Sequence, residues 1–307
     1  MALSDAVRLL MLSAMWGASF LFMRIAAPVL DAIPTAFFRA LFATLALIAL
    51  LLVMRSRWVF RGKFGLMLLI GALNSGVPFA LYCTAAKLLP AGYSAIFNAT
   101  TPMMGVLIGA VFFHESLTFA KALGVVLGLG GVAILVNSGP VAVDGNLLLG
   151  ALACLGAATC YGLSGFLIRR WITQKGGLDS RLQAVGSQVG ATLVLLPFFA
   201  IEVGRTSSFA HWHVPQVWGA LAILGIVCTA LAYILFFQLI ANVGPIKAYT
   251  VTLLVPPFGV LWGALLLDEK VTLAHFGGGV LIAMSLWLIL YNTQEMKTVT
   301  PVTEERT

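Results

Sequence analysis

PMMGVLIGAVFFHESLT, from Pro102 to Thr118, returns as PPFGVLWGALLLDEKVT, from Pro256 to Thr272, 154 positions later. Eight of the seventeen positions are identical, among them Gly105/Gly259, Gly109/Gly263, Glu115/Glu269 and Thr118/Thr272. Unrelated apolar stretches do not share glycines, a carboxylate and a threonine in register, so the phrase marks an internal duplication. Further out, Trp16-Gly17-Ala18-Ser19 followed by Arg24 is matched by Tyr161-Gly162-Leu163-Ser164 followed by Arg169, at an offset of 145. The offset grows because the second copy has the longer connection, Glu202 to Val214 against Arg55 to Lys63.

The repeated unit is built for a bilayer. Hydrophobic residues make up 61% of the 307 positions, charged residues 9%, and the mean hydropathy is +1.02. Soluble domains hold roughly 45–50% and 25%. A membrane-crossing helix needs about 20 mostly apolar residues. Ten such stretches are expected: Val7–Ala26, Pro34–Met54, Phe64–Ala86, Ala91–Phe113, Phe119–Val136, Asn146–Arg170, Arg181–Glu202, Pro215–Ile240, Ile246–Leu267 and Val271–Tyr291. The fold class is therefore an all-α polytopic membrane protein. Residues 1–138 are expected to form a first five-helix repeat, 139–291 a second, and 292–307 a disordered cytoplasmic tail.

Five is odd, so the two copies must enter the membrane from opposite sides and are related by a pseudo-two-fold axis in its plane. The charge distribution gives the orientation. With both termini inside, thirteen of the 18 Lys and Arg fall at inner ends and loops, and only Arg24, Arg39, Lys87, Arg205 and Lys270 fall outside. The net charge of +7 is thus a topology signal and needs no nucleic-acid partner. The first span lacks a small-residue cleavage site and is read as a retained helix. Cys83, Cys154, Cys160 and Cys228 all lie within spans, as small apolar side chains. His211-Trp212-His213 lies in an outer loop without a thiol or carboxylate cluster, and no metal or cofactor is expected.

MWGASFLFMRIAAP, PTAFFRALFATLALIALLL and the two copies of the phrase resemble the EamA-type repeats of the drug/metabolite transporter superfamily, over roughly Leu9 to Tyr291. That resemblance implies ten helices, cytoplasmic termini, a central cavity, a bacterial inner-membrane location and the outward movement of small metabolites. Length and aromatic content resemble the amino-acid exporters, including those for aromatic amino acids.

Candidate cavity residues come from the polar positions within spans. Asn74, Pro78 and Tyr82 are spaced i, i+4, i+8 and share one face of the third span. The eighth span carries Thr229, Tyr233 and Phe237 at the same spacing, and Ser75/Thr229 and Phe79/Tyr233 are repeat equivalents. Asn98 and Thr101 share a face in the fourth span, and Thr252 holds the matching place in the ninth. Trp16 and Tyr161 are equivalents, and with Trp262 they lie deeper than the interfacial Trp58, Trp171, Trp212 and Trp218. Aromatic walls with a few polar groups are what a small solute needs. Each of these side chains could instead serve packing between helices.

No Asp, Glu, Lys or His falls near mid-membrane, where an ionisable group is a functional candidate by default. The first span also lacks the carboxylate that the proton-coupled multidrug branch of the superfamily carries. A neutral or zwitterionic solute fits better than a cation. Glu115 and Glu269 are expected to stabilise the start of the helix that follows each, with Thr118 and Thr272 as caps. Arg24 and Arg39 sit near the outer ends of adjacent spans and could attract a substrate carboxylate; the expectation is that they snorkel toward the headgroups. The function expected is a secondary transporter acting by alternating access on small metabolites, amino acids foremost. A passive channel or facilitator is the alternative, and a membrane-embedded enzyme lacks a nucleophile, base or metal set in the spans. The oligomeric state is left open.

Overall fold

The computed structural model describes residues 2–138, 141, 143–205, 210–243 and 251–298, and every regular element among them is helical. In chain order these are α1 (Leu3–Leu30), α2 (Ala32–Val53), α3 (Phe64–Gly71, Ala72–Gly76 and Val77–Leu88), α4 (Ala91–Asn98 and Thr101–Phe113) and α5 (Phe119–Ser138). The second five are α6 (Gly145–Trp171), α7 (Ser180–Arg205), α8 (Pro215–Ala222, Ile223–Leu231 and Ala232–Val243), α9 (Val251–Leu267) and α10 (Leu273–Thr298). Eight are long and apolar enough to cross a bilayer, and α9 and α10 supply two shorter apolar stretches. The chain is an all-helical, ten-span membrane protein of two inverted five-helix repeats. The expected start of the ninth span at Ile246, the side chains of His211 and Phe237, and residues 299–307 lie outside the described residues. The tail expected to be disordered from Asn292 is helical as far as Thr298.

The duplication persists in backbone detail. Each copy of the phrase ends in a left-handed residue, His114 at φ 53° and Asp268 at φ 54°. Each following glutamate donates its N–H to the carbonyl of the phrase's second glycine, Glu115 to Gly109 at 2.9 Å and Glu269 to Gly263 at 3.1 Å. Helix contacts are exchanged in the same way. A methyl on Gly17 of α1 would lie 2.9 Å from the Gly259 nitrogen of α9, and one on Gly162 of α6 would lie 2.9 Å from the Gly105 nitrogen of α4. Only glycine permits backbones this close.

Both middle helices of the repeats also widen at equivalent places, α3 into a π-turn over Ala72–Gly76 and α8 over Ile223–Leu231. In α3, Pro78 lacks an N–H and its ring crowds the preceding turn; the wider turn accommodates both. The π segment of α8 has no proline, and Thr229 Oγ1 donates to the Leu224 carbonyl at 2.8 Å. Single-turn π segments within helices occur disproportionately at functional sites.

Ten alternating spans give the bundle two ends. The terminal end holds Leu3 and the α2–α3, α4–α5 and α6–α7 connections; the distal end holds the α1–α2, α3–α4 and α9–α10 connections. At the distal end α1 and α2 are joined by Asp31 alone, whose carboxylate accepts from the Ala32 N–H and pairs with Lys87 of α3. At the terminal end Lys63 Nζ donates to the Lys175 and Gly177 carbonyls, both at 2.6 Å, tying two connections together. α5 and α10 pack on each other at the periphery, where a methyl on Gly131 would meet the Gly278 carbonyl oxygen at 2.7 Å. Leucine, valine and phenylalanine side chains such as Leu45, Val111, Phe112, Leu152, Leu193, Leu265 and Phe276 stay exposed, the surface that a lipid phase requires.

Candidate functional site

The π-turn of α3 gathers a cluster of uncharged polar groups with α6, α7 and α8. Ser75 of α3 lies 3.2 Å from Ser187 of α7, Oγ to Oγ, and accepts from Gln188 Nε2 at 3.0 Å. Asn74 accepts from Ser164 Oγ of α6 at 2.9 Å, and its amide reaches Ser187 at 3.5 Å. The Tyr233 hydroxyl of α8 is within bonding reach of Ser75, Asn74 and Gln188. About two helical turns along α3 from Asn74, Tyr82 donates to Asn98 Oδ1 of α4 at 3.0 Å and stacks against Tyr161 of α6, ring centroids 6.2 Å apart. Phe20 meets the Tyr82 ring edge-on at 5.4 Å, and Trp16 meets Phe236 at 5.2 Å. Asn74, Tyr82, Asn98, Tyr161 and Tyr233, from four helices, thus share one interior region.

Ser75, Tyr82 and Gln188 are almost wholly buried, whereas Trp16, Asn74, Asn98, Tyr161 and Tyr233 keep part of their surface. Two cavities lie at the bundle's ends. A cavity of about 730 Å³ is lined by Arg57, Arg61, Asp179 and Arg181 at the terminal end, and one of about 350 Å³ by Asp31, Lys87 and Glu202 at the distal end.

The remaining sequence candidates stand apart. Trp262 Nε1 donates to the Ala14 carbonyl at 3.1 Å, which clamps α9 to α1. Thr101 Oγ1 donates to the Asn98 carbonyl at 2.8 Å, where α4 breaks just before Pro102. Pro78 is buried and shapes the helix. Thr252 is half-buried near the start of described α9.

Arg39 departs from expectation. Its guanidinium does not snorkel: the residue is 7% exposed and sits roughly two turns, about 10 Å, below the start of α2. Nε donates to Thr229 Oγ1 at 3.2 Å, Nη1 approaches Met23 Sδ at 3.3 Å, and the carbon of the guanidinium lies 3.7 Å from the centre of the Phe79 ring. Tyr82, Tyr161 and Tyr233 are all within its electrostatic range. The sequence count of mid-membrane charges considered Asp, Glu, Lys and His, and a position near a span end hid an arginine that faces inward. Placing arginine in a membrane interior costs on the order of 3 kcal/mol on insertion scales. Arg24 stays at the distal end, where Nη1 donates to the Ala86 carbonyl that terminates α3, at 2.7 Å.

The two glutamates also differ from expectation, since neither serves the helix that follows it. Glu269 reaches across to the N-terminus of α4 and accepts from Ala91 N–H at 2.8 Å and Gly92 N–H at 3.3 Å. Pro90, at the capping position of α4, supplies no side-chain bond. Glu115 pairs with Arg169 of α6 at 3.3 Å. Thr118 does cap α5, accepting from Lys121 N–H at 3.3 Å.

Comparison with known proteins supplies a family. The model of the EamA-like transporter family matches residues 6–137 and again 148–291. The chain is 25% identical to a probable amino-acid metabolite efflux pump of Escherichia coli, covering 97% of this chain and 99% of that protein. It is 25% identical to an uncharacterised transporter of Bacillus subtilis over 95% of this chain and 93% of the relative. A probable terminal-alkyne amino-acid exporter of Streptantibioticus cattleyicolor is 25% identical over 64% and 63%. One solved crystal structure superposes with a TM-score of 0.63 at 17% identity, over 97% of this chain and all of the other, a likeness of fold.

Proposed function

Because the chain belongs to the EamA-like transporter family, we propose that it is a secondary carrier of small neutral or zwitterionic metabolites. Amino acids, aromatic ones included, are the proposed cargo, moved outward by alternating access. The observation that carries the substrate class is the central cluster, where Asn74, Asn98, Ser75, Ser187, Gln188, Tyr82, Tyr161 and Tyr233 offer neutral amides, hydroxyls and aromatic faces. Such groups bind and release without chemistry, and no catalytic step or cofactor enters the reading. The relatives named as amino-acid exporters support the same class and direction.

Alternating access is supported by the unlike states of the two ends. Glu269 holds α4 against α9 at the distal end, while among the described residues the equivalent Glu115 pairs with Arg169 at the terminal end. Inversion of the repeats supplies the return path, because exchanging the two halves' conformations opens the other end. The proposed placement is the bacterial inner membrane with both termini cytoplasmic, for which thirteen of 18 basic residues on the terminal side is the support.

Counterflow tests the reading. Liposomes containing the purified protein are preloaded with excess unlabelled amino acid and offered labelled phenylalanine, threonine, lysine and glutamate in parallel, without an ion gradient. Transient accumulation of phenylalanine or threonine is expected, and a pore would give equilibration without overshoot. Failure of all four to accumulate would remove amino acids from the proposal.

A further inference from the structure

Arg39 has no negative partner among the described residues. It forms no ion pair among the described residues, and all eleven Asp and Glu of the chain lie at helix ends, in connections or in the tail. Asp31, on the same side of the bundle, is engaged with Lys87. A cation removed from water without a counter-ion is costly unless something supplies the charge. We infer that Arg39 holds the carboxylate of the cargo, so that the central site selects carboxylate-bearing metabolites over their amides and over amines. The inference deepens the proposed function and rests on it.

The geometry leaves the guanidinium ready for that ligand. Thr229 fixes Nε, and the Phe79 ring supports one face of the plane. Nη1 meets only a thioether sulfur, a weak acceptor, and Nη2 donates to no described residue. The outer edge formed by Nη1 and Nη2 is the fork that a carboxylate takes with two parallel bonds. Holding Nε in advance reduces the ordering cost of forming them. One turn further along α8 from Thr229, roughly 5–6 Å, Tyr233 belongs to the cluster of Asn74, Ser75 and Gln188. Gln188 Oε1 there is buried and without a hydrogen-bond partner among the described residues, an acceptor suited to the ammonium of a zwitterion. The cation is present in one repeat only: α7, the counterpart of α2, carries Ser187, Gln188 and Thr192 at its interior positions and arginine only near its ends. A carboxylate therefore has one preferred direction in an otherwise two-fold site.

The test crosses two ligand groups. L-phenylalanine, 3-phenylpropionate, L-phenylalaninamide and phenethylamine are titrated calorimetrically onto the purified protein and onto Arg39→Gln and Arg39→Lys, each checked for monodispersity and a cooperative thermal transition. The two carboxylates are expected to bind the wild type more tightly than the amide and the amine. Arg39→Gln is expected to weaken both carboxylates by about 30-fold or more and to leave the other two unchanged, with Arg39→Lys in between because it keeps charge and loses the fork. Equal carboxylate affinity in folded Arg39→Gln would overturn the inference. If Arg39→Gln does not fold, equal binding of acid and amide by the wild type overturns it equally, while leaving the carrier reading in place. Binding of none of the four would defeat the amino-acid reading itself, and the anchor with it.

Discussion

Asp268 and Glu269 at the distal end and His114 and Glu115 at the terminal end occupy the same backbone turn, yet among the described residues the two glutamates have different partners. Glu269 caps the first turn of α4, and around it α4 is pressed onto α9: a methyl on Gly92 would stand 3.3 Å from Val260 Cα, and one on Gly259 only 2.2 Å from Ala95 Cβ. At the other end, the second segment of α4 turns to α6, where Phe113 stacks on Phe166 at 4.5 Å and Glu115 meets Arg169. Two copies that share eight of seventeen residues thus have different neighbours among the described residues. One motif with two arrangements is what a carrier exchanging its halves requires.

The largest effect should come from freezing that difference. Added Cβ atoms place residue 92 within 3.6 Å of Val260 Cβ, close to the ~3.8 Å typical of disulfides. With the four native cysteines replaced, Gly92→Cys with Val260→Cys is expected to cross-link under oxidation and to abolish exchange, which reductant restores. Quantitative cross-linking with undiminished exchange would remove the α4–α9 contact from the transport cycle.

Next in size is the pair Gly259→Ala and Gly105→Ala, the same position in the two copies. The methyl at 259 collides with Ala95, whereas at 105 its nearest neighbour among the described residues is Gly162 Cα at 4.0 Å. Overpacking of this kind costs about 1–3 kcal/mol. Gly259→Ala is expected to lower the thermal midpoint by an amount of that order, and Gly105→Ala to stay within about 0.5 kcal/mol of the wild type. Equal losses would mean that the two ends are packed alike.

That contrast marks what could be read from the sequence. The ten spans, the duplication and its inversion were legible because apolar length and register are one-dimensional signals. The paired π-turns were not: Pro78 hints at one, but the other in α8 has no proline and depends on the Thr229 hydroxyl. Arg39 was misjudged because distance from a span end says nothing about the direction a side chain faces, and here α1, α3 and α8 surround it with Met23, Phe79 and Thr229. Gln188, Ser75 and Ser187 went unselected because a single polar residue in an apolar helix looks the same whether it meets a neighbour or a ligand. Glu269 was assigned to the nearest helix in sequence, and its true partner lies 178 residues away.

The smallest difference expected is between the glutamates themselves, and it separates a cap from a surface ion pair. Glu269 satisfies two N–H groups at a helix start that Pro90 cannot serve, and its charge lies at the positive end of the helix dipole. Glu269→Ala should therefore cost about 1–2 kcal/mol, in the range of a lost N-cap. Glu115 pairs with an Arg169 side chain that is 64% exposed, so Glu115→Ala should cost about 0–1 kcal/mol and vary with salt. Thermal unfolding of both variants at low and high ionic strength reads the distinction: the Glu115 contribution should fade as salt screens it, and most of the Glu269 contribution should persist because its bonds are to backbone. Salt dependence of the same size in both would reduce Glu269 to a surface charge and leave the distal end closed by packing alone.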